Sequence, residues 1–259
     1  FQSVFERAVD IRLRADVPVV GYLSGGVDSA FVLATAARVA GRPVPSFTLR
    51  IPKKNLDEVD EAMEAAQAIG AHPTVVQAGS DLITASYASL TRAAECPVLD
   101  TSCAALLALS REVRSQGYKV VLTGEGADEG FAGYLWFKMR ETARLLDYGD
   151  TFTPTAALSR AVRRIGTKQS AMELRRIDAL IGGPLAQSVM YSLVSTSRDR
   201  YFSAGLKEEL GGHVAYEDLD LDLDRMARWH PLNRSLYLGY KVHLPGLLIS
   251  QKGDRIAMA

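Results

Sequence analysis

Nine residues near the start of the chain, Gly21-Tyr-Leu-Ser-Gly-Gly-Val-Asp-Ser29, constrain the fold more than any other stretch. Ahead of them, Val17 to Leu23 is short, apolar and rich in β-branched residues, the composition of a buried strand. Behind them, Val27 to Val39 is apolar, alanine-rich and free of breakers, which predicts a packed helix. A strand that turns through glycines into a helix start leaves backbone N–H groups unpaired at the positive end of the helix dipole, and that arrangement binds phosphate. Glycine suits such a loop because a side chain would hold the anion off the backbone. Taken alone, the same residues also fit an ordinary strand–helix turn capped by Ser24 or Asp28.

Strand and helix patterns alternate along the next hundred or so residues as well. An amphipathic helix is expected around Val4 to Leu13, with Val4, Phe5, Ala8, Val9 and Ile11 as its apolar face. Pro45 to Ile51 reads as a second strand, Asp57 to Gly70 as a helix closed by its glycine, and Pro73 to Val76 as a third strand. Asp81 to Ala94 and Cys103 to Gly117 are helical in pattern. Lys119 to Thr123 is a fourth strand, continuous in hydrophobicity and so expected to be buried on both faces. Strands alternating with helices at this spacing predict an α/β fold, a doubly wound and mostly parallel sheet, with an additional C-terminal helical region. Ligands of such sheets sit beyond the carboxyl ends of the strands. The loops after the first and fourth strands are therefore expected to face one cleft.

The loop after the fourth strand, Gly124 to Tyr134, carries Glu125, Asp128 and Glu129 among glycines. Carboxylates at a strand end beside a phosphate loop suit Mg²⁺, which takes one or two carboxylates plus phosphate oxygens. Asp28 would be the second. The alternative is that Asp128 and Glu129 cap the following helix. Composition excludes other classes. Formal net charge is zero, with no basic stripe for nucleic acid. No apolar run reaches membrane-spanning length, and Phe1 to Asp16 lacks signal-peptide character, so a cytoplasmic setting and no membrane partner are expected. Cys96 and Cys103 give no disulfide framework and read as packing residues. A γ-phosphate P-loop and an H-E-x-x-H zinc motif are both missing, and the four histidines are scattered. The acidic run Glu217 to Asp224 has Leu223 and Trp229 where a calcium loop needs glycine and glutamate, so it reads as a solvated face. Asp147 to Leu158 has linker composition, dividing an α/β core at 1–146 from a mainly helical part at 147–259. The closing stretch concentrates Lys252, Asp254 and Arg255 beside apolar Leu247, Leu248 and Ile249.

Three motifs in this order carry a resemblance. The SGGVDS loop resembles that of enzymes that split ATP between its α and β phosphates. Together with VVLTGEGADEGFAGYLWF and LPGLLISQKGDRIAMA, it is similar to the synthetase domain of glutamine-dependent asparagine synthetases, an adenine nucleotide alpha hydrolase-like, Rossmann-like fold. The resemblance implies ATP and Mg²⁺ as cofactors. It places Leu23, Ser24, Gly25, Gly26, Asp28 and Ser29 on the ATP phosphates, and Leu49, Thr123 and Gly124 around the rest of the nucleotide. Asp28 and Asp128 would hold Mg²⁺. Glu125 would serve formation of the acyl-adenylate and the handling of ammonia, and Lys252 would neutralise the α-phosphate. The implied reaction is activation of a carboxylate, aspartate in that family, as acyl-AMP with release of pyrophosphate, followed by attack of ammonia to give asparagine. The implied partners are a carboxylate substrate and ammonia, from a glutaminase domain in a full-length protein or from a separate source, and there is room for a homodimer. Thr123, Ala132 and Ala257 stand where the family usually has serine, glycine and serine. Its nucleophilic N-terminal cysteine is not found at Phe1, so the chain is expected to be an excised domain or a stand-alone ammonia user. Two alternatives stay open: a β-lactam synthetase-like or lasso-peptide cyclase-like ligase for another carboxylate, and a non-catalytic nucleotide-binding module.

Overall fold

The computed structural model describes residues 1–53, 56–98, 100–145, 168–183, 185–186 and 201–253. The expected linker at Asp147 to Leu158, and Asp254 and Arg255, lie outside the described residues. The chain divides into two compact units: Phe1–Gly126 with Leu244–Ala259, and Ala127–His243.

The first unit opens with α1 (Gln2–Leu13), then alternates β1 (Val19–Tyr22), α2 (Val27–Ala40), β2 (Ser46–Arg50), α3 (Val59–Ala68) and β3 (Thr74–Gln77). Two helices, α4 (Ser80–Ala94) and α5 (Ser102–Ser115), precede β4 (Val120–Leu122). All strand pairs are parallel, in the order β3-β2-β1-β4. The chain thus steps from β1 to β2 and β3 on one side, then returns to place β4 on the other side of β1. That reversal makes the sheet doubly wound, and its switch point lies between β1 and β4.

Period-two alternation in β1 sends its residues to two different cores. Val19 and Leu23 join Leu33, Ala36, Ala62 and Leu122 on the face covered by α2 and α3. Val20 and Tyr22 face the other way, against Phe47, Leu109 and Val113. Gly21 is required between them, since a Cβ there would collide with the Leu33 side chain on α2. Burial raises the Tyr22 phenol above its ordinary range, and its hydroxyl is 3.2 Å from Ser110 Oγ.

Two burial expectations are corrected. Val120 and Val121 of β4 are only half-buried rather than covered on both faces, because β4 ends the strand order and pairs only with β1 among the described strands. On α1, Val9 is buried, but Val4 and Ile11 are exposed, because this helix packs along a narrow stripe against α2. Phe5 is the other anchor of α1, 4.6 Å from the Phe31 ring of α2. Cys103 is fully buried at the start of α5, and burial pushes its thiol up, as suits a packing residue.

The second unit begins with α6 (Ala127–Phe131) and α7 (Leu135–Leu145). Helices at Lys168–Ile181 and Pro231–Leu238 contribute Ile177, Ile181 and Leu238 to a core completed by Leu185, Val214 and Met226. The acidic run is solvated as expected: Glu217, Asp218, Asp220, Asp222 and Asp224 are all exposed. Asp222 caps the helix Leu223–Ala227, accepting from the Arg225 amide at 3.0 Å. Glu217 and Asp218 clamp His213, with Nδ1 2.7 Å from Glu217 Oε2 and Nε2 2.9 Å from Asp218 Oδ2. Among the described residues no helix is long and apolar enough to cross a membrane.

The His213 clamp sets a pH dependence. The Asp218 hydrogen bond first, and then the two carboxylate charges, raise the imidazole pKa against the opposing effect of burial. A raised folded-state pKa stabilises fully below the ordinary histidine value, and the contribution fades as pH rises through the raised one. In an NMR titration, the His213 ring is expected to have a midpoint above the ordinary value. Asp218→Asn should bring it down, and an unshifted midpoint in the parent protein would remove the clamp from consideration.

Candidate functional site

The glycine loop leaves β1 at Leu23, whose amide still pairs with the Phe47 carbonyl at 2.9 Å, and α2 begins at Val27 after Gly26. The two serines brace the loop from inside. Ser29 Oγ, buried, accepts from the Ser24 amide at 3.0 Å and lies 2.9 Å from Ser24 Oγ. Ser24 Oγ in turn accepts from the Gly26 amide at 3.2 Å. The Gly25 amide donates to a carboxylate, Glu58 Oε2, at 3.2 Å. An anionic group thus already occupies one of the amides expected to hold phosphate, which fits the anion-accepting character of the loop. Gly25 itself has no room for a side chain: a Cβ would lie 2.8 Å from Glu61 Cβ and 3.2 Å from Glu58 Cβ. Asp28 lies half-buried in the first turn of α2.

The β4 loop meets this loop directly. A Cβ on Gly124 would lie 2.8 Å from the Ser29 amide nitrogen, 3.1 Å from the Asp28 carbonyl carbon and 3.2 Å from Asp28 Cβ. Gly124 therefore rests on the backbone of the first turn of α2, and the two loops flank the switch point. Thr123 and Glu125 on either side of it are exposed. Leu49 lies near the carboxyl end of β2, opposite Val76 of β3, and packs against the Val20–Phe47–Leu109 cluster. Lys252, in the short helical turn Ser250–Lys252, is 28% exposed and has Nζ 4.0 Å from Asp100 Oδ2. The other oxygen of Asp100 accepts from the Ser102 amide at 2.9 Å, at the start of α5.

Asp128 belongs to the second unit and is described within it. It lies on α6 under a tight turn: the Gly133 amide donates to its carbonyl at 3.1 Å, and a Cβ on Gly133 would collide with Asp128 Oδ1. The turn shows why glycine is usual at position 132, where this chain has a strained alanine. Ala132 adopts φ 59°, a left-handed conformation that glycine takes without steric cost. No group of three or more metal-ligating side chains occurs among the described residues. A divalent ion here would be shared between fewer carboxylates and phosphate oxygens, which is how Mg²⁺ is commonly held.

The sequence reading missed Glu58 and Asp100, and it missed the burial of Glu129. Glu58 and Asp100 each precede a helix by one or two positions, and acidic residues before an apolar run are a helix-start signal. Nothing in the sequence marked Glu129 as distinct from Asp128, yet Glu129 is 1% exposed.

A doubly wound parallel sheet whose glycine loop, at the switch point, donates an amide to a carboxylate defines the class: an α/β domain with an anion-accepting loop at the carboxyl edge of its sheet. The chain belongs to the asparagine synthase family, whose model matches residues 1–259. It is 30% identical to amidase chyE of Penicillium rubens over 97% of this chain and 41% of that protein. It is 30% identical to a putative glutamine-hydrolysing asparagine synthetase of Mycobacterium bovis, over 99% of this chain and 38% of that one. Glutamine-hydrolysing asparagine synthetase 1 of Bacillus subtilis matches at 30% over 97% of the chain and 39% of its own length. The chain thus spans about two-fifths of the length of these relatives. Among solved structures, an NH₃-dependent NAD synthetase from Campylobacter jejuni overlaps 92% of this chain and 93% of its own, at 17% identity and a TM-score of 0.38.

Proposed function

We propose that this chain is the synthetase part of an ATP-dependent amide-forming ligase that activates aspartate as acyl-AMP and passes it to ammonia. The observation that carries the reading is the seating of Gly124 on the first turn of α2, which joins the two loops expected to hold one nucleotide. In this reading the Gly25 and Gly26 amides and the Ser24 and Ser29 hydroxyls receive the phosphates, with Glu58 giving way at Gly25. Leu49, Thr123 and Gly124 line the remainder of the nucleotide. The aspartate carboxylate attacks the α-phosphorus, the bond to the bridging oxygen of the β-phosphate breaks, and pyrophosphate leaves. Lys252 meets the charge that builds on the α-phosphate oxygens. Glu125, exposed beside Gly124, acts on the second half-reaction, orienting ammonia and taking the proton it loses as AMP departs. Mg²⁺, held by Asp28 and Asp128 together with phosphate oxygens, would neutralise the departing pyrophosphate. Ammonia would come from a glutamine-hydrolysing domain of the full-length protein or from a separate source.

Two relatives bear the name amidase, which keeps a second carboxylate in view. ATP–pyrophosphate exchange with full-length protein and Mg²⁺ decides the matter. Exchange that depends on aspartate is expected. Exchange only with another carboxylate would sink the asparagine assignment while keeping the chemistry, and absence of both exchange and ATP binding would favour a non-catalytic module.

A further inference from the structure

The carboxylate on the Gly25 amide is held in place from several sides. Glu58 stands at the N-cap position of α3, yet its side chain makes no capping bond to that helix. It crosses instead to the glycine loop, where Oε2 accepts from the Gly25 amide at 3.2 Å. Capping falls to its neighbour: the Val59 amide donates to Asp57 Oδ1 at 3.4 Å. Arg50, at the carboxyl end of β2, reaches residues before and after Glu58, with Nε 3.9 Å from Asp57 Oδ2 and Nη2 3.6 Å from Asp60 Oδ1. Val59 and Ala62, both buried, root the first turn of α3 in the core. A Cβ on Gly25 would lie 2.8 Å from Glu61 Cβ and 3.4 Å from the Glu58 carbonyl oxygen, so the loop and the start of α3 are in direct contact.

The Glu58 carboxylate is not needed to shape the loop. The Ser29 and Ser24 hydroxyls brace it from inside, accepting from the Ser24 and Gly26 amides, and Gly25 is wedged by packing. What the carboxylate adds is negative charge, placed on an amide that a phosphate oxygen would take. One N–H holds one well-aligned acceptor, and two anions beside it repel each other. We propose that Glu58 is an internal competitor for the phosphate loop: its carboxylate holds the Gly25 amide, an arriving phosphate oxygen displaces it, and it returns as pyrophosphate leaves. The inference rests on the reading of the loop as the phosphate site. Observed affinity is then the intrinsic affinity multiplied by the fraction of molecules in which the amide is uncovered. The reduction matters most for pyrophosphate, which lacks the nucleoside contacts that would offset it.

Calorimetry of the full-length protein with inorganic pyrophosphate, in chelator so that no divalent ion contributes, tests the competition. Glu58→Gln is expected to bind about five-fold more tightly than the parent protein. Removing any acidic charge beside the loop favours an anion to some degree, and Glu61→Gln controls for that. Glu61 lies on the same turn of α3 and meets Gly25 through its Cβ, so its variant should tighten binding by less than about two-fold. Both side chains are exposed, and neither substitution disturbs the core. Weaker binding by Glu58→Gln would make the carboxylate a brace of the loop and overturns the proposal. An unchanged affinity, or an equal gain in Glu61→Gln, overturns it as well. If neither the parent nor either variant binds pyrophosphate, the phosphate reading of the loop itself fails and the competitor role falls with it.

Discussion

Gly124→Ala is expected to weaken ATP binding by at least about ten-fold and to lower stability by about 1–3 kcal/mol. The new Cβ would sit 2.8 Å from the Ser29 amide nitrogen, closer than real Cβ contacts come, with the Asp28 carbonyl carbon at 3.1 Å. Both are backbone atoms of the first turn of α2, so no rotamer change clears the space. Either the β4 loop retreats or the start of α2 shifts, and each moves one proposed wall of the nucleotide site. A control separates this from a general effect of filling a glycine. Gly205 lies on the helix Ala204–Leu210 with nothing within 4 Å of an added Cβ, so Gly205→Ala should leave ATP binding unchanged. Equilibrium dialysis with ATP and urea denaturation of both variants give the comparison. Parent-like ATP affinity in Gly124→Ala would remove the loop contact as the basis of the functional reading.

The framework of the first unit was legible because hydrophobic periodicity is a local property. The strands read at Pro45 to Ile51 and Pro73 to Val76 form at Ser46–Arg50 and Thr74–Gln77, and the helix read at Asp81 to Ala94 forms at Ser80–Ala94. Which face of each element is covered depends on what lies beside it, and a single sequence does not carry that. Val120 and Val121 looked like a strand buried on both sides, but β4 ends the strand order. Val4 and Ile11 fitted the stripe of α1 and are exposed, because among the described residues α1 packs mainly on α2. The site divides in the same way. Glycines marked where backbone must come close, and Gly25 and Gly124 are indeed hemmed in. The partners that hem them were invisible: Glu58 is 33 positions from the amide it accepts from. Glu129 shows the limit most clearly. Adjacent to Asp128 and identical in charge, it gave no sign in the sequence of being buried against Tyr134 and His243.

Lys252→Ala should reduce ATP–pyrophosphate exchange by about 10²–10³-fold, the cost of removing one preorganised group from a developing charge. ATP affinity should fall far less, because the proposed partner of the ammonium is charge that appears only as the α-phosphate becomes five-coordinate. The surroundings of Lys252 suit that role. Its side chain is 28% exposed, so it is neither sealed in the core nor fully hydrated. Asp100 stands 4.0 Å away and is itself fixed, one oxygen on the Ser102 amide at the start of α5. A loose pairing at that distance restrains the long side chain without consuming its hydrogen bonds, leaving donors for a phosphate. Lys252→Arg keeps the charge but spreads it over a rigid plane, and should recover only part of the rate. The measurement is exchange at saturating ATP beside ATP binding at equilibrium. A Lys252→Ala protein that exchanges at the parent rate would show that the cation at the α-phosphate is another residue, and one that loses ATP binding in proportion to rate would show that Lys252 serves the ground state.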